Sequence, residues 1–365
     1  GNVKVTTNET NSDKDAHATI DGGSTTGLKI ERGSEIQGDL ALRSGHANTI
    51  TDAGDAGVVT VDGNLTATTY DNNGSITLND LAVDGTIGLN THGTGDATVV
   101  NDVGLQFAAS EVGGDLHATA TTEDITQSGA LDIEGTTTLI TAASNASILL
   151  GTTSNAFTGA LIITTNDNDS GGTDGDVTIH GGTTALILGD STIDGDLSLT
   201  STATNTVGIT DSGTLDIRGI TTISASGVDV TLDSAANNFQ AAVKIQGVNV
   251  TIVDAGVIDL GASTVTGTYT VTAGGAVTDS DTLAITGVTT ISASSGNVEL
   301  NTATNDFLAA VKIEGVNVVV VDANAIDLGA STVTGTYAVT ATAGGDITNS
   351  GGLAITYGAT FTVAG

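Results

Sequence analysis

The sequence has no cysteine, proline, methionine or tryptophan, and its aromatic residues are limited to four tyrosines and five phenylalanines. Without cysteine there are no disulfides, no thiolate nucleophile and no Cys-based metal centre. A chain with neither sulfur-bearing residue suits an exposed, extracellular life in which sulfur would oxidise. Basic residues are nearly absent as well: eight Lys and Arg stand against 42 Asp and Glu, for a formal net charge of −34. That balance excludes the basic footprint a nucleic-acid binder needs, and it repels anionic membrane surfaces. No apolar run approaches the ~20 residues of a membrane-spanning helix. Gly1 is not preceded by a basic n-region or an apolar h-region, so any signal peptide is expected to have been removed or to lie outside this sequence. No window sustains a 3.6-residue apolar period, so almost no helix is expected.

What is present is small, branched and repetitive. Hydrophobic residues make up 38% of the chain, mostly Val, Ile, Leu and Ala, accompanied by abundant Thr and 50 glycines. β-Branched residues favour strands. The stretch VDAGVIDLGASTVTGTYTV (Val253–Val271) returns 68 residues later as VDANAIDLGASTVTGTYAV (Val321–Val339), with three differences. A second unit, ITDSGTLDIRGITTISA from Ile209, returns from Val277 and from Ile347, and an older-looking copy begins at Ile125. NNFQAAVKIQGVNV (Asn237–Val250) matches NDFLAAVKIEGVNV (Asn305–Val318), with SNAFTGALII (Ser154–Ile163) as a diverged relative. A shorter signature, apolar-x-Gly-Asp/Asn-Leu-x-apolar, recurs at Ile36–Leu42, Val61–Ala67, Val112–Ala118 and Ile193–Leu199. Each instance reads as a turn followed by a short alternating strand.

Copying of whole blocks distinguishes a solenoid from a sandwich, because only in a solenoid does each coil rest on one of its own kind. The fold expected is an all-β parallel β-helix (β-solenoid) of many short strands: diverged repeats over 1–123, clear repeats of 68–84 residues over 124–365, one continuous rod. With roughly 20–24 residues per coil, a 68-residue block amounts to about three coils. The whole chain then makes about 15–18 coils, ~75–85 Å long at ~4.8 Å per coil. Equivalent side chains are expected to form columns along the axis.

The order G-D-L-x-x-x-A, I-T-x-S-G-x-L-x-I-x-G-x-T-T, N-x-F-x-A-A-V-x-I-x-G-V-N-V and D-A-x-x-I-D-L-G-x-S-T-V-T-G resembles the repeat region of filamentous-haemagglutinin-like exoproteins. The resemblance is good from about Asp124 and weaker before it. It implies a secreted, β-helical adhesin of a Gram-negative bacterium. Its partners would be surface glycans or proteins of a host or neighbouring cell, and it would be extracellular or cell-surface in location.

Among candidate sites, NDNDSGGTDGD (Asn166–Asp176) gathers Asp167, Asp169, Asp174 and Asp176 on a Gly-softened loop, the hard-oxygen set that Ca²⁺ requires, although the closing Glu of a calcium loop is missing. Thr51–Gly57 is a lesser acidic cluster. Phe157, Phe239 and Phe307, and Tyr269 with Tyr337, recur at repeat positions and are expected to plug the core, stacking along the axis rather than on sugars. Asn237 and Asn305 are expected in turns, bonding to their equivalents in neighbouring coils. The five histidines have no metal-ligand spacing and read as surface. With no nucleophile elbow, P-loop or HExxH, and with Arg218 placed where other copies carry Glu134 and Thr286, no enzyme is expected.

The leading expectation is therefore a structural rod or filament for adhesion or cell-surface architecture. It would associate end to end or form part of a longer chain, without membrane insertion. The alternatives are a carbohydrate-active β-helix enzyme and, below it, ice or mineral binding through Thr arrays.

Overall fold

A computed structural model describes all residues except 1, 8–15, 23–26, 46–48, 54–56, 153–154, 167–174, 204–206 and 365, with backbone alone at 71, 72 and 207. The described residues form short strands joined by turns and contain no helix. The chain divides into two compact units, Gly1–Ile187 with Ile193–Gly195, and Leu188–Thr192 with Asp196–Gly365. Each is a parallel β-solenoid.

The alternation of apolar and polar residues does the local work. In Val250–Asp254 (VTIVD) the inward residues are buried and the outward ones half-exposed, and Tyr269–Ala273 (YTVTA) on the next coil follows suit. Their register sets Val250 under Tyr269 and Ile252 under Val271. In the amino-terminal unit, Leu116–Ala120 sits likewise between Ala97–Asn101 and Thr137–Ser144. Interior Val, Ile, Leu and Ala are almost wholly removed from water. Such a core is filled by layers of small branched side chains, and each buried side chain contributes about 1.5–3 kcal/mol.

Each coil contributes half of its length to a first sheet and half to a second. One half is a single strand. The other is doubled, two three-residue strands bent around a two-residue kink, as in Ile258–Leu260 and Ser263–Val265. In the carboxyl-terminal unit, Val250–Asp254 is a single strand of the first sheet, followed on the second by that doubled half. The pattern repeats through Tyr269–Ala273 and Thr289–Ser292 to Val311–Gly315. There a second single strand, Val318–Asp322, follows at once on the opposite sheet. From that point the doubled halves, Ile326–Leu328 with Ser331–Val333, belong to the first sheet.

This arrangement corrects the coil count. The 68-residue block makes three and a half coils, not three, so its copies lie on opposite sheets: Val250 pairs with Tyr269 on the first, Val318 with Tyr337 on the second. The two sheets offer equivalent surroundings, so the copies fold alike after a half-turn about the axis. The stacked aromatic columns do not form either. Phe239 belongs to the first sheet and Phe307 to the second. Each Phe covers an isoleucine instead: Ile217 under Phe239, Ile285 under Phe307 and, in the amino-terminal unit, Ile133 under Phe157. Among the described residues the sole aromatic pair is Tyr337 with Phe361, edge-on at 6.1 Å.

The amino-terminal unit makes the same change of face. Its doubled halves lie first on the sheet of Leu28–Glu31. After the single strands Leu65–Asn72, Ile76–Val83, Thr86–His92 and Ala97–Asn101 they lie on the other.

Candidate functional site

The buried polar residues fall into three recurrent devices, each joining one coil to the next. The first is a clamp centred on asparagine. Asn305 is fully buried; its Oδ1 accepts the Leu283 N–H of the coil below at 2.9 Å, and its Nδ2 donates to Asp279 Oδ2 at 2.6 Å. Asp279 also accepts the N–H groups of Asn301 and Thr302 at 2.8 and 3.2 Å. The same set recurs with Asn237, Leu215 and Asp211. In the amino-terminal unit Gln127 replaces the aspartate and exchanges two amide hydrogen bonds with Asn155, at 2.8 and 2.9 Å. Asn155 Oδ1 again accepts a leucine N–H, that of Leu131, at 3.0 Å. These asparagines do not bond to their equivalents, as the sequence suggested. They reach down to the aspartate and the leucine N–H one coil below.

The second device explains the apolar-x-Gly-Asp/Asn-Leu signature. The Asx side chain accepts the backbone N–H of its successor one coil later: Asp39 from Asn64 at 2.8 Å, Asn64 from Thr86 at 2.9 Å, Asp115 from Thr136 at 2.7 Å, Asp196 from Ile220 at 2.6 Å. The third is a buried serine at the kink where a doubled half meets a single strand. Ser263 Oγ donates to Gly261 O and accepts the Ile245 N–H, replacing a ladder bond that the bend has broken. Ser110 and Ser331 do the same. The sequence reading missed these serines, although the repeated GAST quartet (Gly261–Thr264, Gly329–Thr332) was the available signal.

Two aspartates are buried as well. Asp254 accepts the N–H groups of Phe239 and Gly256 at 2.7 and 2.6 Å, and Asp322 those of Phe307 and Asn324 at 2.8 and 2.7 Å. Burial pushes both carboxyls above the usual carboxylate range despite these bonds, and the nearby Asp306 adds to the shift of Asp322. Tyr337 is buried too, and its phenol is pushed up to about 12. The Ser331 hydroxyl nearby opposes that shift but is itself committed to Ile313 N and Gly329 O, leaving the phenol without a hydrogen bond of regular geometry. Such burial removes the recurrent tyrosines and phenylalanines from any sugar-stacking role.

Of the candidate calcium ligands, Asp167, Asp169 and Asp174 lie outside the described residues. Asp176 is described, and its carbonyl accepts the Ile148 N–H at 2.8 Å. Among the described residues no three His, Asp or Glu side chains converge as a metal set. In the Thr51–Gly57 cluster, Asp52 accepts the N–H groups of Asn79 and Asp80 and lies 3.6 Å from Arg32 Nε. Asp55 is outside the described residues. His92 and His117 are exposed, His180 is half-buried, and His17 Nδ1 accepts the Asp39 N–H at 2.8 Å. Arg218 is exposed.

The largest concavity, about 640 Å³, is an open trough in the amino-terminal unit beside Asp84, Glu123 and Asp124, with no Lys, Arg or His in its lining. A wall bearing only carboxylates repels the acidic polysaccharide that the enzyme alternative requires.

These devices define a class: a β-solenoid repeat protein in which each coil is bonded to the next through buried polar side chains. Residues 94–164, 174–246, 247–314 and 315–365 match the family of DUF5649 repeats, described as repeats of unknown function. They span more than half of the chain, which belongs to that family. The 247–314 match coincides with the three-and-a-half-coil block, opening at Gly247 where two single strands abut. No curated protein and no solved structure matches the chain.

Proposed function

We propose that this chain is a structural β-solenoid, secreted or displayed at a cell surface, that builds adhesive or architectural rods resembling filamentous-haemagglutinin-like exoproteins. One observation carries the reading: its buried polar groups are spent on the same coil-to-coil clamp, repeated at Asn155, Asn237 and Asn305. A catalytic protein concentrates such groups once. Here they are distributed along the stack, where they add stiffness and register. The acidic surface supports this role, since like-charged rods resist lateral aggregation. Calcium held by the Asn166–Asp176 loop would fit the same extracellular setting.

The test is to raise antibody against the purified chain and label intact producing cells, with and without protease shaving. Surface label removed by protease, together with reduced attachment of a strain lacking the gene, is the expected result. Label confined to permeabilised cells overturns the reading.

A further inference from the structure

The coil containing Ile347–Asn349, Leu353–Ile355 and Gly358–Val363 is paired along one edge, with Ile326–Leu328, Ser331–Val333 and Thr336–Ala341. Among the described residues no strand pairs with its other edge. That edge repeats the lower half of the asparagine clamp. Asn349 occupies the place of Gln127, Asp211 and Asp279. Leu353 occupies that of Leu131, Leu215 and Leu283, whose N–H groups each donate to an asparagine of the coil above. Ile355 stands where Ile133, Ile217 and Ile285 are each covered by a phenylalanine. Those isoleucines are at most 1% exposed, while Ile355 is half-buried and Phe361 and Val363 are 48% and 55% exposed.

We propose that this edge is a docking site for a second chain of the same repeat type whose leading coil carries Asn-x-Phe. The asparagine would accept the Leu353 N–H and donate to the Asn349 side chain, and the phenylalanine would cover Ile355. The interface is the one already occupied three times within this molecule, formed here in trans by strand addition. A second copy docked by its first strands does not fit the chemistry. Asn-x-Phe occurs in this sequence only at Asn155–Phe157, Asn237–Phe239 and Asn305–Phe307, all inside the stack and none in its leading coils.

The proposal takes its setting from coil stacking, but its test does not depend on adhesion or location. The full chain is titrated with a labelled peptide copying residues 294–315, and amide exchange is followed at Asn349–Ile355. Saturable binding that slows exchange at Leu353, weakens at least tenfold with the Asn305→Ala or Phe307→Ala peptide, and strengthens several-fold in the Asn349→Asp protein is expected. Absence of saturable binding, or equal binding by the substituted peptides, overturns the proposal. Concentration-dependent self-association that protects Leu353 without peptide overturns it too, assigning the edge to a second copy.

Discussion

At the scale of single residues, the clamp asparagines are the most exacting positions in the chain. Asn305→Ala leaves the Leu283 N–H buried without an acceptor and removes a donor from Asp279, a loss of about 1–3 kcal/mol. Chemical denaturation of Asn305→Ala against an exposed control such as Asn301→Ala measures it. The buried aspartates give a pH signature. Asp254 and Asp322 have folded-state values raised above the unfolded value, so the folded protein binds more protons than the unfolded chain between the two. Stability is therefore greatest below the unfolded value near 3.8 and falls as pH rises through the raised folded values. Melting curves across that window should show a shallower decline in the Asp254→Asn, Asp322→Asn double variant. Little of this could be read in advance: an Asn amid Asn, Asp and Ser in a repeat looks like a turn residue, and only the coil beneath shows that it is buried. The Asp/Asn of the Gly-Asp/Asn-Leu signature was more legible, because its fixed offset from a strand marks a corner.

At the scale of the element, strand length and kinks decide the architecture. Alternation of Val, Ile and Thr made the parallel solenoid legible, because the same short pattern recurs without partners of other kinds. The change of face was not legible, since a repeat period in residues does not say how many half-coils it spans. The junctions IQGVNV (Ile245–Val250) and IEGVNV (Ile313–Val318) hold the information: two single strands abut across Val248–Asn249 and Val316–Asn317 with no doubled half between them. Corner glycines are the geometric complement. A Cβ on Gly287 would lie 2.2 Å from the Gly267 carbonyl oxygen one coil below, whereas one on Gly352 would meet nothing within 4 Å. Gly287→Ala must push stacked backbones apart, at a cost of about 1–3 kcal/mol, and Gly352→Ala should be within about 0.5 kcal/mol of the parent. Comparable losses in both variants would show that the corners are looser than the stacking implies.

At the scale of the whole molecule, stacking and charge oppose each other. Parallel coils bring equivalent outward positions within ~4.8 Å of one another, well inside the ~10 Å Debye length at 0.1 M salt. Repetition therefore places like charges side by side, as with Glu111 and Asp132, which are register partners on the exposed face. With 42 acidic and eight basic residues, counter-charges cannot offset this, and compact coils are destabilised by their own field. The folded chain tolerates the field because its cohesion comes from buried aliphatic layers and uncharged backbone ladders, which salt does not screen. The melting temperature should accordingly rise with NaCl, most steeply up to roughly 0.15 M, where screening shortens to ~8 Å. KCl should act alike, and an additional step with CaCl₂ at matched ionic strength would mark specific binding. A melting temperature that falls over the same salt range would mean that attractive ion pairs such as Arg32 with Asp80 outweigh the repulsion, and that the acidic surface stabilises the stack instead of straining it.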